Sequence, residues 1–336
     1  MKNAQSAQSS NIKCIAPKLP QLGEDRSPEL YDSLVEQTRD AIAQTGFTKV
    51  VLGLSGGLDS ALVAAIAVDA LALDNIPAEN VHGIIMPSQW TSDASVSDAQ
   101  ELASNLGIQT ELFDIMPAYT AMSDTLAPAF AGTEEDITEE NLQVRIRAMY
   151  LMAMSNKFDL LVLSTNNLSE TTVGYTTLYG DTIGAFAPLA PLYKSWVYEL
   201  AHYRNKRMQW LGKGGLIPVS ILEKAPSAEL LPDQTDEAVL GPYSYLDALL
   251  HAYFKHCKDS GKRKPKRIRG RRVGGAQRFD QEKVLSDSEV LFDIGFDKEY
   301  AEDIVARIEK AVFKRPFASP GAVLPSSIQS YVKRRS

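Results

Sequence analysis

Lys49 to Ala65 reads KVVLGLSGGLDSALVAA: a branched apolar run, then two serines, three glycines and an aspartate within eight residues, then a second apolar stretch. The first run is short and β-branched, as a strand buried on both faces would be, and Asp59 to Leu73 has helical spacing. Gly53 to Ser60 therefore forms a loop that leaves a strand and enters a helix, the place where open α/β sheets bind anions. Glycines let successive N–H groups turn inward, and Ser55 and Ser60 add hydroxyls. The loop carries no lysine, and Asp59 offers a hard oxygen ligand suited to magnesium. It has neither the terminal Gly-Lys-Ser/Thr of the common nucleoside-triphosphatase loop nor the GxGxxG spacing of dinucleotide folds.

Outward from this unit, KVVLGL at 49–54, VHGIIMP at 81–87, TELFDI at 110–115 and DLLVLST at 159–165 read as strands buried on both faces. Helical spacing covers Asp59 to Leu73, Ser92 to Leu106 and Thr138 to Asn156, the last opened by a capping box of Asp136 and Glu139. The β-α-β-α-β-α-β order predicts an α/β fold: a doubly wound parallel sheet with right-handed crossovers, flanked by helices. An amphipathic helix precedes it, with Ser27 as cap, Pro28 in the first turn and Gly46 as terminator. From about residue 190 the pattern changes to helices and irregular stretches too broken for a separate core, a helical C-terminal appendage that completes a site. Residues 1–26 are expected to form a flexible arm, 27–325 the folded domain, 258–284 a mobile basic loop and 326–336 an extended tail.

The 336 residues are 44% hydrophobic with a net charge of -7, although Lys262 to Arg272 holds eight basic residues and no acid. The acidic body argues against a nucleic-acid surface spread over the whole protein, and the basic block is a local feature. Cys14 and Cys257 make no disulfide framework, and the N-terminus lacks the apolar core of a signal peptide, so the chain is expected in the cytoplasm and off the membrane.

SGGLDS resembles the SGGxDS pyrophosphate loop of the ATP pyrophosphatase (adenine nucleotide alpha hydrolase-like) superfamily. Four further segments, EENLQVRIRAMYLMAMSN at 139–156, LSTNNLSETTVGYTTLYGD at 163–181, APLYKSWVYELA at 190–201 and APSAELLPDQTDE at 225–237, are similar in order and spacing to the synthetase domain of NAD synthetases. GYTTLYGD is closer to the glutamine-dependent type. The resemblance implies amidation of the nicotinate carboxylate of deamido-NAD through an acyl-adenylate, with ATP as co-substrate, magnesium as cofactor, and release of AMP and pyrophosphate.

It also implies roles. Gly53, Leu54, Ser55, Gly56, Gly57, Leu58, Asp59 and Ser60 would cradle the ATP phosphates, Thr165, Lys194 and Ser227 would contact ATP, and Asp59 and Glu170 would be the metal ligands. On the same resemblance Asp59 and Lys194 would be the catalytic pair. Asn141, Arg145, Glu170, Tyr175, Thr176, Thr177, Leu178, Asp181 and Lys314 would bind deamido-NAD, with Asp181 at the nicotinate end or on a second magnesium. Shorter ammonia-dependent relatives have a lysine in place of Leu178 and a histidine in place of Phe313. Arg145 and Arg147 lie two apart on one helix and cannot share a face, so at most one is a ligand. Tyr179 either lines the site or only packs.

Glutamine-dependent relatives carry an N-terminal amidase, and no such length precedes residue 27, so free ammonia is the expected nitrogen donor. A separate glutaminase is the alternative. A tRNA-modifying ATP pyrophosphatase would use the basic block for RNA, but its thiolating members need catalytic cysteines. A homodimer, with the helices near 27–45 and 138–156 at its interface, is what the resemblance implies.

Overall fold

The computed structural model describes residues 17–212, 214–260 and 281–335. In chain order, α1 (Ser27–Thr45) leads into β1 (Val50–Gly53), α2 (Leu58–Leu73), β2 (Val81–Ile85), α3 (Asp93–Leu106), β3 (Gln109–Leu112), α4 (Met116–Leu126), α5 (Ile137–Phe158), β4 (Leu161–Val162) and α6 (Leu168–Val173). The later helices are α7 (Lys194–Trp210), α8 (Val219–Glu223), α9 (Asp236–Leu240), α10 (Tyr243–Asp259), α11 (Gln281–Asp293), α12 (Lys298–Lys310) and α13 (Ser326–Arg335). The sheet order is β3-β2-β1-β4. Every ladder is parallel, with Val50 opposite both Val81 and Leu161, and His82 opposite Gln109.

Strand periodicity decides which residues go to which face. Val50 and Leu52 point into the larger core with α1, α2 and α7, while Val51 between them joins Ile84, Ile146, Leu160 and Val162 under α5. Helix α2 sits between the sheet and α1, so apolar residues all round it are buried, as its alanine-rich sequence allows. Leu246 and Leu249 of α10 and Ile304 of α12 belong to the same large core as Leu62 and Trp196, so the appendage is part of one packed body. Among the described residues no helix is long and apolar enough to cross a membrane.

The chain leaves β3 at one edge and returns at β4 on the far side of β1. Beyond the carboxyl ends of β1 and β4 the order therefore reverses, which opens a crevice between their loops. The glycine loop at 54–57 and the turn at 164–167 flank that crevice.

Four expectations need correction. Residues 17–26 are docked, not flexible: Leu22 is fully buried, Trp196 donates its indole N–H to the Pro20 carbonyl at 2.9 Å, and Glu199 accepts the Leu22 and Gly23 N–H groups. The tail at 326–335 is a helix whose Ile328 and Tyr331, three apart, are buried, and the Tyr331 hydroxyl donates to the Gln21 carbonyl. Strand β3 is an exposed edge, and β4 is only two residues long, although beyond it the Leu163 N–H still donates to the Val51 carbonyl at 2.9 Å and Leu163 also bridges to Phe186. Residues 258–259 close α10 and 281–284 open α11, while the rest of the expected mobile loop, with the basic block, lies outside the described residues.

The capping box at Asp136 and Glu139 and the left-handed Gly46 stop are present, whereas Arg26, not Ser27, holds the cap position of α1. The sequence shows no strong signal for α4, an eleven-residue helix with no buried residue.

Leu22→Ala leaves a void in a collapsed part of the core. It is expected to lower stability by about 2–5 kcal/mol, readable as a lower denaturant midpoint with an unchanged slope.

Candidate active site

The crevice is a cleft of about 400 Å³. Its floor is the glycine loop. Gly56 has φ +74°, and a Cβ there would lie 2.1 Å from the Ser95 carbonyl oxygen, so only glycine lets α3 pack this close. Ser55 and Ser60 brace the loop from within: the Ser60 hydroxyl donates to the Gly57 carbonyl at 3.0 Å, and the Gly57 N–H donates to Ser55 Oγ at 3.2 Å. No side chain caps the start of α2, so its first N–H groups remain available for an anion.

Above the loop, the Lys194 ammonium is held between two carboxylates. It contacts Asp59 Oδ2 directly and lies 3.0 Å from Glu170 Oε1. These residues come from three elements: Asp59 from the first turn of α2, Glu170 from α6 and Lys194 from the start of α7. Asn167, fully buried as the cap of α6, donates Nδ2 to Asp59 at 3.0 Å and accepts the Glu170 N–H at 3.0 Å. Tyr243 of α10 donates within 3.0 Å to Glu170 and Asp236.

Burial penalises the Lys194 charge, but Asp59 and Glu170 more than offset it and raise its pKa, so it is ammonium at neutral pH. Burial pushes the Asp59 carboxyl up, with Glu170 adding to the effect against Lys194. Burial also opposes the Glu170 charge, yet Lys194 and the Asn167 and Tyr243 hydrogen bonds hold its pKa below the ordinary value.

A tight segment at 174–182 forms the far wall. The Thr177 N–H donates to both Asp181 carboxylate oxygens, at 2.9 and 3.2 Å, and the Thr177 hydroxyl donates to Asn141 at 2.6 Å. Lys314 spans the end of α6 by donating to the Gly174 and Thr176 carbonyls. Burial pushes Asp181 up to about 7. Thr165 also lines the cleft, as does Ser227, whose hydroxyl is engaged in its own turn with the Gln234 carbonyl and the Glu229 N–H.

The structure thus brings Asp59, Asn141, Thr165, Glu170, Tyr175, Thr176, Thr177, Asp181, Lys194, Ser227 and Lys314 to one cleft with the glycine loop. Arg145 and Leu178 are not on its wall. Arg145 is exposed and donates to the Leu178 carbonyl at 3.1 Å, while Arg147 lines the cleft and donates to the Met86 carbonyl at 2.9 Å. The two-residue spacing separates their faces as expected, but the cleft receives the arginine that the resemblance did not select. Burial lowers the Arg147 pKa to about 10. Gly56 lies behind the loop against Ser95 rather than on the wall. Tyr179 packs edge-on against Phe317 and is 60% exposed, also off the wall.

Sequence reasoning missed Asn167, Lys224, Glu229 and Asp236, all on the wall or bonded to it. Lys224 donates to Ser95 and Asp98, and Glu229 accepts from Ser92 and Ser95, tying the 224–236 segment to the start of α3. The sequence marks this segment only as a motif, with no residue but Ser227 singled out.

A parallel sheet with a lysine-free glycine loop at its switch point, and a buried Lys-Asp-Glu trio above that loop, defines an adenine nucleotide alpha hydrolase-like fold. The model of the NAD synthase family matches residues 30–270, and the chain belongs to that family. The chain is 43% identical over 296 residues to a glutamine-dependent NAD(+) synthetase of Thermotoga maritima, covering 88% of this chain and 45% of that protein. Among solved structures it is similar to a glutamine-dependent NAD+ synthetase from Acinetobacter baumannii in complex with ADP, at TM-score 0.56, 37% identity and coverage of 90% of this chain and 48% of that one. It is also similar to an NH3-dependent NAD synthetase from Campylobacter jejuni, at TM-score 0.55 and 28% identity, covering 69% and 85%. The chain thus spans less than half the length of the Thermotoga relative.

Because the Asp181 pKa is raised on folding, its contribution to stability is full at low pH and lost as pH rises from about 4 through about 7. Asp181→Asn removes this loss. The melting temperature of the variant relative to the wild type is expected to rise by ~3–8 °C between pH 5 and pH 8, and a constant difference across that range contradicts it.

Proposed function

We propose that this chain converts deamido-NAD to NAD by ATP-dependent amidation. The observation that carries the reading is the Lys194 ammonium held by Asp59 and Glu170 above a lysine-free glycine loop, in a member of the NAD synthase family.

The nicotinate carboxylate attacks the α-phosphorus of ATP, the bond to the bridging oxygen breaks, and pyrophosphate leaves with the electron pair. Ammonia then attacks the carbonyl carbon of the acyl-adenylate, AMP departs, and a proton is lost. The first step joins two anions, so it needs fixed positive charge and donors where charge accumulates. Gly53 to Ser60 would hold the departing pyrophosphate on their N–H groups, and Lys194 would neutralise charge as the pentacoordinate phosphorus forms. Thr165, Ser227 and Arg147 line the cleft where the rest of ATP would lie. Asn141, Tyr175, Thr176, Thr177 and Lys314 would bind the nicotinate nucleotide, with Arg145 and Leu178 just outside. Asp181, poised near neutrality, would take the proton released in amide formation.

The cleft wall carries six carboxylates, Asp59, Glu140, Glu170, Asp181, Glu229 and Asp236, against four cationic side chains, Arg147, Lys194, Lys224 and Lys314. Binding polyphosphate there calls for a further cation. Asp59 and Glu170 converge on one point, now held by the Lys194 ammonium, and offer the hard oxygen donors that magnesium takes alongside phosphate oxygens. Magnesium, when bound, supplies charge neutralisation to the phosphates.

No thiol lines the cleft among the described residues, and Cys257 is buried on α10. Nitrogen would reach this site as ammonia, taken free from solution or released from glutamine by a glutaminase. Homodimerisation would cover the outer face of α5, where Met149 and Met152 are exposed.

Purified protein supplied with deamido-NAD, ATP, magnesium and ammonium is expected to form NAD, AMP and pyrophosphate in equal amounts; ADP in place of AMP contradicts the mechanism. Glutamine is expected to replace ammonium poorly. Lys194→Ala should reduce kcat by about 100-fold or more.

A further inference from the structure

We propose that Asp247, in the second turn of α10, is a positioning residue for this reaction: its buried carboxylate fixes Glu170 and Lys194 by binding the residue beside each of them. The proposal rests on the functional reading above, which assigns work to Glu170 and Lys194.

The start of α7 has no cap of its own. Tyr193 occupies the cap position and makes no side-chain hydrogen bond to the helix. Its first N–H groups are satisfied from elsewhere: the Lys194 N–H donates to Ser169 Oγ at 2.9 Å, and the Ser195 N–H donates to Asp247 Oδ2 at 2.8 Å. The Ser195 hydroxyl donates to the same oxygen at 2.7 Å, and the Ser169 hydroxyl donates to Asp247 Oδ1. One fully buried carboxylate thus joins α6 at the residue before Glu170 to α7 at the residue after Lys194.

A negative charge at a helix N-terminus is favoured by the helix dipole, and the three donors compensate for its burial. One turn earlier on α10, Tyr243 donates to Glu170 itself at 3.0 Å. Residues four apart share a helix face, so a single face of α10 holds both the Glu170 carboxylate and the backbone that presents Glu170 and Lys194. Lys194 is the first residue of α7, and any tilt of that helix start displaces its ammonium from the loop.

An asparagine at 247 keeps the volume and one acceptor oxygen but leaves the Ser169 hydroxyl without its acceptor. Asp247→Asn is expected to lower kcat for ammonium-dependent NAD formation by about 10- to 100-fold, with the KM for ATP changed by less than about threefold. Acetylation of Lys194 by acetic anhydride, followed by peptide mass spectrometry without substrates, should be at least about fivefold faster than in the wild type as the helix start loosens. Val81→Ala, which empties a fully buried position at the amino end of β2, the end of the sheet opposite the cleft, is the control and should keep wild-type kcat and Lys194 labelling.

Asp247→Asn with the kcat of the Val81→Ala control, or with wild-type Lys194 labelling, overturns the proposal. Should the wild type form no NAD, the functional reading fails, and the labelling comparison still decides whether Asp247 holds Lys194. Should Asp247→Asn not fold, Ser195→Ala and Ser169→Ala each remove one hydroxyl contact to the carboxylate, and neither changing Lys194 labelling or kcat overturns the proposal equally.

Discussion

The contact on which the rest of the cleft depends is the Lys194 ammonium between Asp59 and Glu170. All three side chains are largely out of water, with 5%, 17% and 16% of each exposed. Removing one member of a buried ionic group leaves an uncompensated charge and costs about 3–5 kcal/mol. The trio persists because its spare valences are filled: Asn167 on Asp59, and Tyr243 and the ammonium on Glu170. It is also a junction of three helices. The glycine loop positions Asp59, the turn after β4 positions Glu170, and the packing of α7 on α2 and α10 positions Lys194.

Sheet order explains why these parts can meet. With β1 between β2 and β4, the loops that follow β1 and β4 lie side by side at their carboxyl ends. The first delivers the glycine loop and the second delivers Thr165, Asn167 and Glu170. Neither loop contains a cationic side chain. Lys194 comes from the next long helix, and the 224–236 segment, latched to α3 through Glu229 and Lys224, closes another side.

What could be read from the sequence was what is local. Strand β1, the loop and α2 were legible because a branched run, a glycine cluster and a long apolar helix follow one another without interruption. The capping box of α5 was legible for the same reason. Membership of a family made Asp59, Glu170 and Lys194 candidates, and they do converge. Asn167, Tyr243 and Asp247 were not legible: Asn167 lies inside the 163–181 motif with nothing to single it out from its polar neighbours, and Tyr243 and Asp247 lie outside every motif, with partners up to 78 positions away. The docked segment at 17–26 and α13 were misread because so few apolar residues hold them, although Leu22 and Ile328 are fully buried. Arg145 and Arg147 show the limit of resemblance, since helix geometry separates their faces but only the packing of α5 on the sheet says which one turns inward.

An acid in the loop and a lysine on a distant helix amount to a division of labour. A lysine within the loop would be placed by the loop alone, as in common nucleoside-triphosphatase loops, and the remaining helices would be free to vary without moving it. Here the cation arrives only if α7 begins at the right residue and the right angle. That start is fixed by Ser169 from α6 and Asp247 from α10, not by a local cap. The position of that charge above the glycine loop therefore depends on the packing of the C-terminal helices. Those helices have no core of their own, and share the core of the sheet because the same packing that buries Leu246 and Leu249 also sets the position of Lys194.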